Sequence, residues 1–285
     1  MLNKKRLLLL SCTSVPLIPL MVSCANMSNE NKKKLTNLID PNNDVSLIPI
    51  NKQEQQTENI LDDLLKKVFK SNNVAKTLFL KKQNDKQHQQ QIVEEIKAQK
   101  VKYIANPNDE HIRYEVINKL TKIYSDNWYF VLKNFTKFEG IFHEWFILEE
   151  QNGNKLSDEY LNNLKTLEKP KILTFENNFI DNLEEGEESA EDLDNIILYL
   201  LKNNMVMRFK IANERSESPQ MILSPLVWYF EKAQTDKLSL KFISNIIHSA
   251  VVHGFEDGYI RFEQDMVKKW KYGEPSVMLL VGKDE

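Results

Sequence analysis

The sequence has little cysteine, glycine and arginine, and each scarcity excludes a class of site. Its 285 residues include two cysteines, Cys12 and Cys24, which are too few for a disulfide framework or a cluster of thiolate ligands. It has seven glycines and lacks the glycine-rich motifs that bind phosphates and dinucleotides or present a catalytic serine. Only five of its 38 basic residues are arginine, and the net charge is −3. This composition argues against a nucleic-acid partner.

The histidines and carboxylates show no recognised catalytic or metal-ligand pattern. His248 and His253 are five residues apart, a spacing that does not align two ligands on one α-helical turn. His253 and Glu256 match half of a helical di-iron pair, but no second half is found. The acidic stretch 176–194 lacks the fixed ligand offsets of a calcium loop. The sequence therefore predicts no catalytic residue, no metal, no cofactor and no enzymatic activity, with the acidic stretch as a solvated loop.

The amino terminus predicts an exported lipoprotein. Lys4, Lys5 and Arg6 precede an apolar run over 7–21, which is the pattern of a secretory signal. The run ends in Met-Val-Ser-Cys and resembles a bacterial lipobox. That resemblance implies cleavage after residue 23 and a diacylglyceryl or palmitate anchor on Cys24, outside the cell membrane. An uncleaved membrane anchor is the alternative, but the run is short for a membrane span and two prolines interrupt it.

Behind the signal, the sequence predicts a disordered tether over 24–57 and one helical domain over 58–285. The tether is polar and rich in turn residues, so it cannot bury enough apolar surface to offset ordering entropy. From residue 58 onward, apolar side chains recur at helical spacing, as in Leu61, Leu64 and Val68. Since no stretch alternates strongly, the predicted fold class is all-α. The lysine-rich face over 62–102 is predicted as solvated, with a membrane-surface role as the alternative.

The main hydrophobic feature is a twenty-residue stretch over 127–146. It holds eight of the chain's 27 aromatic residues: Trp128, Tyr129, Phe130, Phe135, Phe138, Phe142, Trp145 and Phe146. We predict one helix over about 109–138 and a second apolar segment over 141–148, separated at Gly140. Because clustered aromatics at helical spacing usually face inward, core packing is the favoured interpretation of the eight, and an exposed interaction patch is the alternative.

The order Asn127-Trp128-Tyr129-Phe130, with Phe135, Phe138, Trp145 and Phe146 after it, resembles the mollicute "aromatic motif membrane protein" lipoproteins. Abundant lysine and asparagine also resemble mycoplasma surface lipoproteins. The family carries no established activity, so the resemblance implies a surface lipoprotein and little more. We therefore predict a non-catalytic binding role with an unidentified protein partner. An accessory subunit of a membrane machine is the alternative, and an enzyme with an unrecognised site ranks last.

Overall fold

The computed structural model describes residues 50–234 and 238–284, all within the unit that spans 41–285. The predicted signal, the lipidated Cys24 and most of the predicted tether lie outside the described residues. The first helix begins at Ile50, before the predicted domain boundary at residue 58.

The described residues include eight α-helices and eight strands. The α-helices are α1 Ile50–Phe69, α2 Asn73–Gln83, α3 Lys86–Ala105, α4 Glu110–Asp126, α5 Trp128–Lys133, α6 Asp158–Leu164, α7 Leu240–Ile247 and α8 Glu256–Arg261. Short 3₁₀ turns span Phe135–Lys137 and Glu187–Ala190, and π-helical segments span His248–Val252 and Phe262–Lys269. The strands are β1 Phe138–Trp145, β2 Leu173–Thr174, β3 Asn182–Glu185, β4 Asn195–Lys202, β5 Met205–Ala212, β6 Gln220–Leu223, β7 Leu226–Tyr229 and β8 Ser276–Gly282.

Side-chain caps set where the amino-terminal helices begin. The Asp85 carboxylate accepts from the His88 N–H at the start of α3, and the Asp109 carboxylate accepts from the Ile112 N–H at the start of α4. Such caps satisfy backbone donors that have no partner inside the helix. Helices α1 to α4 lie where apolar residues recur at helical spacing, in agreement with the sequence.

The strands form one antiparallel sheet in the order β2-β1-β8-β7-β5-β4-β3, with β6 also paired to β5. The sheet curls into a half-barrel. Its longest uninterrupted pairing is the hairpin of β4 and β5, in which Leu198 lies opposite Phe209 and Leu200 lies opposite Met207. Asn203, with φ of +52°, lies in the tight turn between these two strands. Strand β8 is central, because it pairs β1 on one side and β7 on the other.

The predicted all-α fold class is wrong, since the described residues are 49% helical and 20% strand. Residues 195–212, inside the predicted helical domain, form the β4–β5 hairpin instead. The predicted helix over 109–138 ends early, at Asp126, and continues only as the short α5. Residues 141–145 of the second predicted segment lie in strand β1. Residues 276–282, also inside the predicted helical domain, form strand β8.

Burial on both faces of the sheet is the physical reason for this error. Leu198 and Leu200 join a core shared with α1, α3, α4 and α5. Tyr199 points to the opposite face, where its ring packs 6.0 Å from Trp228. Because both faces are covered, the strand is apolar at nearly every position, and the alternation that marks a half-exposed strand is missing.

Candidate functional site

The aromatic stretch has a buried half and a partly exposed half. Trp128, Phe130, Phe135 and Phe138 are at most 2% exposed and belong to the core. Tyr129, Phe142, Trp145 and Phe146 are partly exposed. The first four lie on α5, the following 3₁₀ turn and the first residue of β1, where these elements pack against the sheet. The stretch is therefore mainly a structural element, with one edge near the surface.

Trp128, from the buried half, also lines an open groove of about 630 Å³ between the amino-terminal helices and strand β6. Phe69, Phe79 and Trp128 line one side of it, with Phe79 stacked on Trp128 at 5.5 Å and tilted against Phe69 at 5.1 Å. Met221 and Ile222 of β6 line the opposite side. The groove therefore has apolar walls built on rigid elements.

Polar side chains from α4 surround this apolar groove. Lys122 and Asp126, joined by a 3.0 Å ion pair, lie at its edge with Thr121. On α2, the helix that contributes Phe79, Val74 is 73% exposed and Leu78 is 64% exposed. An apolar centre with a polar rim is the arrangement of a protein-contact surface.

A second cluster brings together Glu191, His248 and His253. The Nε2 atom of His253 lies 3.1 Å from Glu191 Oε1 and 3.0 Å from His248 Nε2. His248 Nε2 lies 3.3 Å from the same Glu191 oxygen. The exposed fraction of the side chain is 14% for His248, 30% for His253 and 50% for Glu191. The three atoms therefore form a small triangle that is open to solvent on the carboxylate side.

Backbone geometry explains how the two histidines meet. Residues 248–252 form a π-helical segment, and the His253 N–H donates to the His248 carbonyl at 3.3 Å. This i to i−5 bond widens the turn, so residues five apart lie on the same face. Gly254 follows with φ of +62°, a backbone conformation that side chains disfavour, and it ends the segment.

The loop over 151–154 holds this π-helical end in place. Asn152 Nδ2 donates to the His253 carbonyl at 3.0 Å, and Asn154 Nδ2 donates to the Gly254 carbonyl at 2.9 Å. The loop itself is closed by paired backbone hydrogen bonds between Gln151 and Asn154.

The 3₁₀ turn Glu187–Ala190 places Glu191 against α7. The Glu187 N–H donates to Ser244 Oγ at 3.1 Å, and Asn245 Nδ2 donates to the Glu187 carboxylate at 2.7 Å. Glu188, 5% exposed, accepts from the Tyr199 hydroxyl at 2.5 Å. The predicted solvated acidic loop is thus partly a docked turn that carries Glu191 to the histidines.

The family comparison bears on the aromatic stretch. The family described as "Aromatic cluster surface protein" matches residues 37–273, which is most of the chain. The chain belongs to this family. All eight aromatics and both sites described above lie inside the matched span, whereas Cys24 and the predicted signal precede it. No curated protein and no solved structure matches the chain.

Family membership confirms the predicted resemblance as far as an aromatic-motif surface protein and indicates a location at the cell surface. Within residues 50–234 and 238–284, no helix is both long and apolar enough for a membrane span.

The sequence prediction missed the cluster of Glu191, His248 and His253. It considered His253 with Glu256, but Glu256 is not part of the cluster. A spacing of five between the histidines was rejected on α-helical geometry, and a π-helical turn overrides that argument. Glu191 lies 57 residues before His248 along the chain, so only the tertiary fold places it there.

Proposed function

We propose that this family member is a lipid-anchored surface lipoprotein, of the kind found in mycoplasmas, that binds a protein partner without performing catalysis. Membership of a surface protein family supports the location. The groove beside the aromatic stretch supports the binding role, and it is the observation on which that role rests. There, Trp128 of the aromatic stretch lies at the floor of an apolar groove that Phe69 and Phe79 also line.

The chemistry of the groove favours a polypeptide as the bound molecule. Aromatic walls provide a large apolar contact area with few rotatable bonds, as in the centres of protein interfaces. The rim offers hydroxyl, amide and charged groups of both signs rather than a field of one sign. Such a surface fits an apolar side chain flanked by polar backbone.

A bulky charged side chain in the groove tests this role. Thr121 lines the groove and is partly exposed on α4, so Thr121→Arg fills the groove without opening the core. Thr166→Arg is the matched control, because Thr166 is exposed elsewhere and, like Thr121, its hydroxyl donates to a nearby backbone carbonyl.

Cross-linking and co-purification from native membranes should recover a partner with the unmodified protein and with Thr166→Arg, but not with Thr121→Arg. Equal recovery with all three would contradict the groove as the binding surface. Recovery of integral membrane proteins in fixed stoichiometry would favour the accessory-subunit role instead.

The proposed anchor is Cys24, which lies outside the described residues. Its support is the Met-Val-Ser-Cys end of the apolar signal. Cys24→Ser should release the protein from membranes, and mass spectrometry should show loss of the lipid adduct. Retention of an uncleaved Cys24→Ser product in the membrane would contradict lipidation and favour the uncleaved anchor.

A further inference from the structure

We propose that Glu191, His248 and His253 form a binding site for one divalent transition-metal ion of the Zn²⁺ type. The inference is independent of the groove and goes beyond the proposed binding role. It starts from the composition of the cluster, because two imidazoles and one carboxylate are the ligands of an open three-residue zinc site, which leaves one coordination position for water.

The distances match this coordination. Ligand atoms bound to a tetrahedral Zn²⁺ at ~2.0–2.1 Å lie about 3.3 Å from one another. The three edges of the cluster measure 3.0, 3.1 and 3.3 Å. Changes of a few tenths of an ångström would bring the atoms into place. Glu191, the most exposed of the three side chains, has the most freedom to move.

Hydrogen bonding can make at most two of the three edges of this triangle favourable. A carboxylate oxygen only accepts, and each imidazole nitrogen either donates one proton or accepts one. If both Nε2 atoms donate to Glu191, two N–H groups whose nitrogens are 3.0 Å apart repel each other. If His253 donates to His248, the lone pair of His248 faces the carboxylate. A cation bound between the three atoms attracts the carboxylate oxygen and the lone pairs of both nitrogens.

The packing around the two histidine rings directs both Nε2 atoms towards Glu191. Nδ1 of His248 is buried without a hydrogen-bond partner among the described residues, whereas Nε2 contacts both His253 and Glu191. The His253 ring stacks on Phe255 at 4.8 Å and meets His248 edge-on at 4.6 Å. Both rings are therefore oriented before an ion arrives.

The bound ion would join two separate parts of the chain. Glu191 follows the docked 3₁₀ turn, whereas both histidines belong to the π-helical end of α7. A ligand that binds only the folded state stabilises it in proportion to the logarithm of its concentration. Zn²⁺ should therefore raise the melting temperature as well as bind.

The test is titration of the full-length protein, purified without a histidine tag, with Zn²⁺ by calorimetry and with thermal melting in parallel. Glu191→Gln and His253→Gln keep side-chain size and remove a ligand. His111→Gln, an exposed histidine elsewhere, and Glu256→Gln, the exposed carboxylate three residues after His253, are the matched controls. No variant changes a cysteine, so differences between variants report only this cluster.

We expect one saturable Zn²⁺ site with a rise in melting temperature in the unmodified protein and in both controls. Affinity should fall at least about tenfold in Glu191→Gln and His253→Gln, while their metal-free circular dichroism stays unchanged. Absence of saturable binding in the unmodified protein would overturn the proposal. Unchanged binding in both ligand variants, or equal loss in the controls, would also overturn it.

Discussion

Gln83 Nε2 donates a 3.1 Å hydrogen bond to Oδ1 of Asn127 at the break between α4 and α5. Gln83 is 1% exposed and Asn127 is 6% exposed. The side-chain oxygen Oε1 of Gln83 also accepts from the Phe130 N–H at 3.1 Å, and Asn127 Nδ2 donates to the Ile123 backbone carbonyl at 2.9 Å. One buried amide pair thus satisfies the backbone where the helix breaks, and it explains an asparagine at the start of the aromatic stretch.

The first prediction is that Gln83→Leu destabilises the domain although it adds apolar surface to the core. The change leaves the Phe130 N–H buried and unpaired, which costs about 1–3 kcal/mol. Urea unfolding should show a lower midpoint with an unchanged slope. Gln87→Leu, on the exposed side of α3, should leave the midpoint nearly unchanged. Equal stability of the two variants would show that the amide pair contributes little.

The second prediction separates the two halves of the aromatic stretch. Trp128 is 2% exposed and its ring is stacked on Phe79, so Trp128→Ala should cost about 3–5 kcal/mol. Trp145 is partly exposed and packs edge-on against Phe142 at 5.6 Å, so Trp145→Ala should cost about 1 kcal/mol. Thermal melting of the two variants checks this order, and the opposite order would contradict it.

Trp145 shows which property of the aromatic stretch the sequence could not predict. Sequence reasoning favoured the core for the whole stretch, because aromatic spacing reports amphipathicity but not which element the residues belong to. Phe138 and Trp145 lie at the two ends of strand β1, and the fully buried positions of that strand are all in its first three residues. The predicted helix over 109–138 and the predicted apolar segment over 141–148 divide this strand between them, so they could not indicate which of its residues are buried.

The helical half of the fold was predictable, and the sheet was not. Helices α1 and α4 each bury one face, so their sequences carry the period of the helix. Strand β4 buries both faces, with Tyr199 on one side and Leu200 on the other. Its continuously apolar sequence fits the helical period as well as the strand period, so periodicity cannot tell the two apart. The pairing of β8 with β1 joins residues more than 130 positions apart in sequence, and no local pattern reports it.

The third prediction concerns the buried group beside the turn that carries Glu191. The Glu188 carboxylate accepts from Tyr199 and lies 3.3 Å from the Arg208 guanidinium. Tyr199→Phe removes one donor from this buried acceptor, which should cost about 1–3 kcal/mol. Denaturant unfolding measures this cost. Tyr229→Phe is the control, since Tyr229 is partly exposed, and it should leave stability nearly unchanged. Matching losses in the two variants would contradict a special role for the Glu188 contact.

The last prediction is a pH dependence of stability that arises from His143. Its Nδ1 accepts from the Tyr103 hydroxyl at 2.6 Å and from Arg113 Nη2 at 2.8 Å, and its side chain is 10% exposed. Burial, together with the Arg113 charge, lowers the pKa of His143 from 6.5 to about 4. Both neighbours donate to Nδ1, so a proton there would break these bonds and bring a second positive charge beside Arg113.

A lowered pKa in the folded state means that the unfolded chain binds the proton more readily. The stabilisation is therefore fully present above pH 6.5 and is lost as the pH falls from 6.5 towards 4, by about 3 kcal/mol at most. His143→Asn keeps an acceptor for Arg113 but does not titrate. Between pH 6.5 and 4, the free energy of unfolding of this variant should fall less steeply than that of the unmodified protein. The two slopes should differ by at most the contribution of one bound proton. Identical slopes would show that His143 takes up its proton equally in both states, against the lowered pKa.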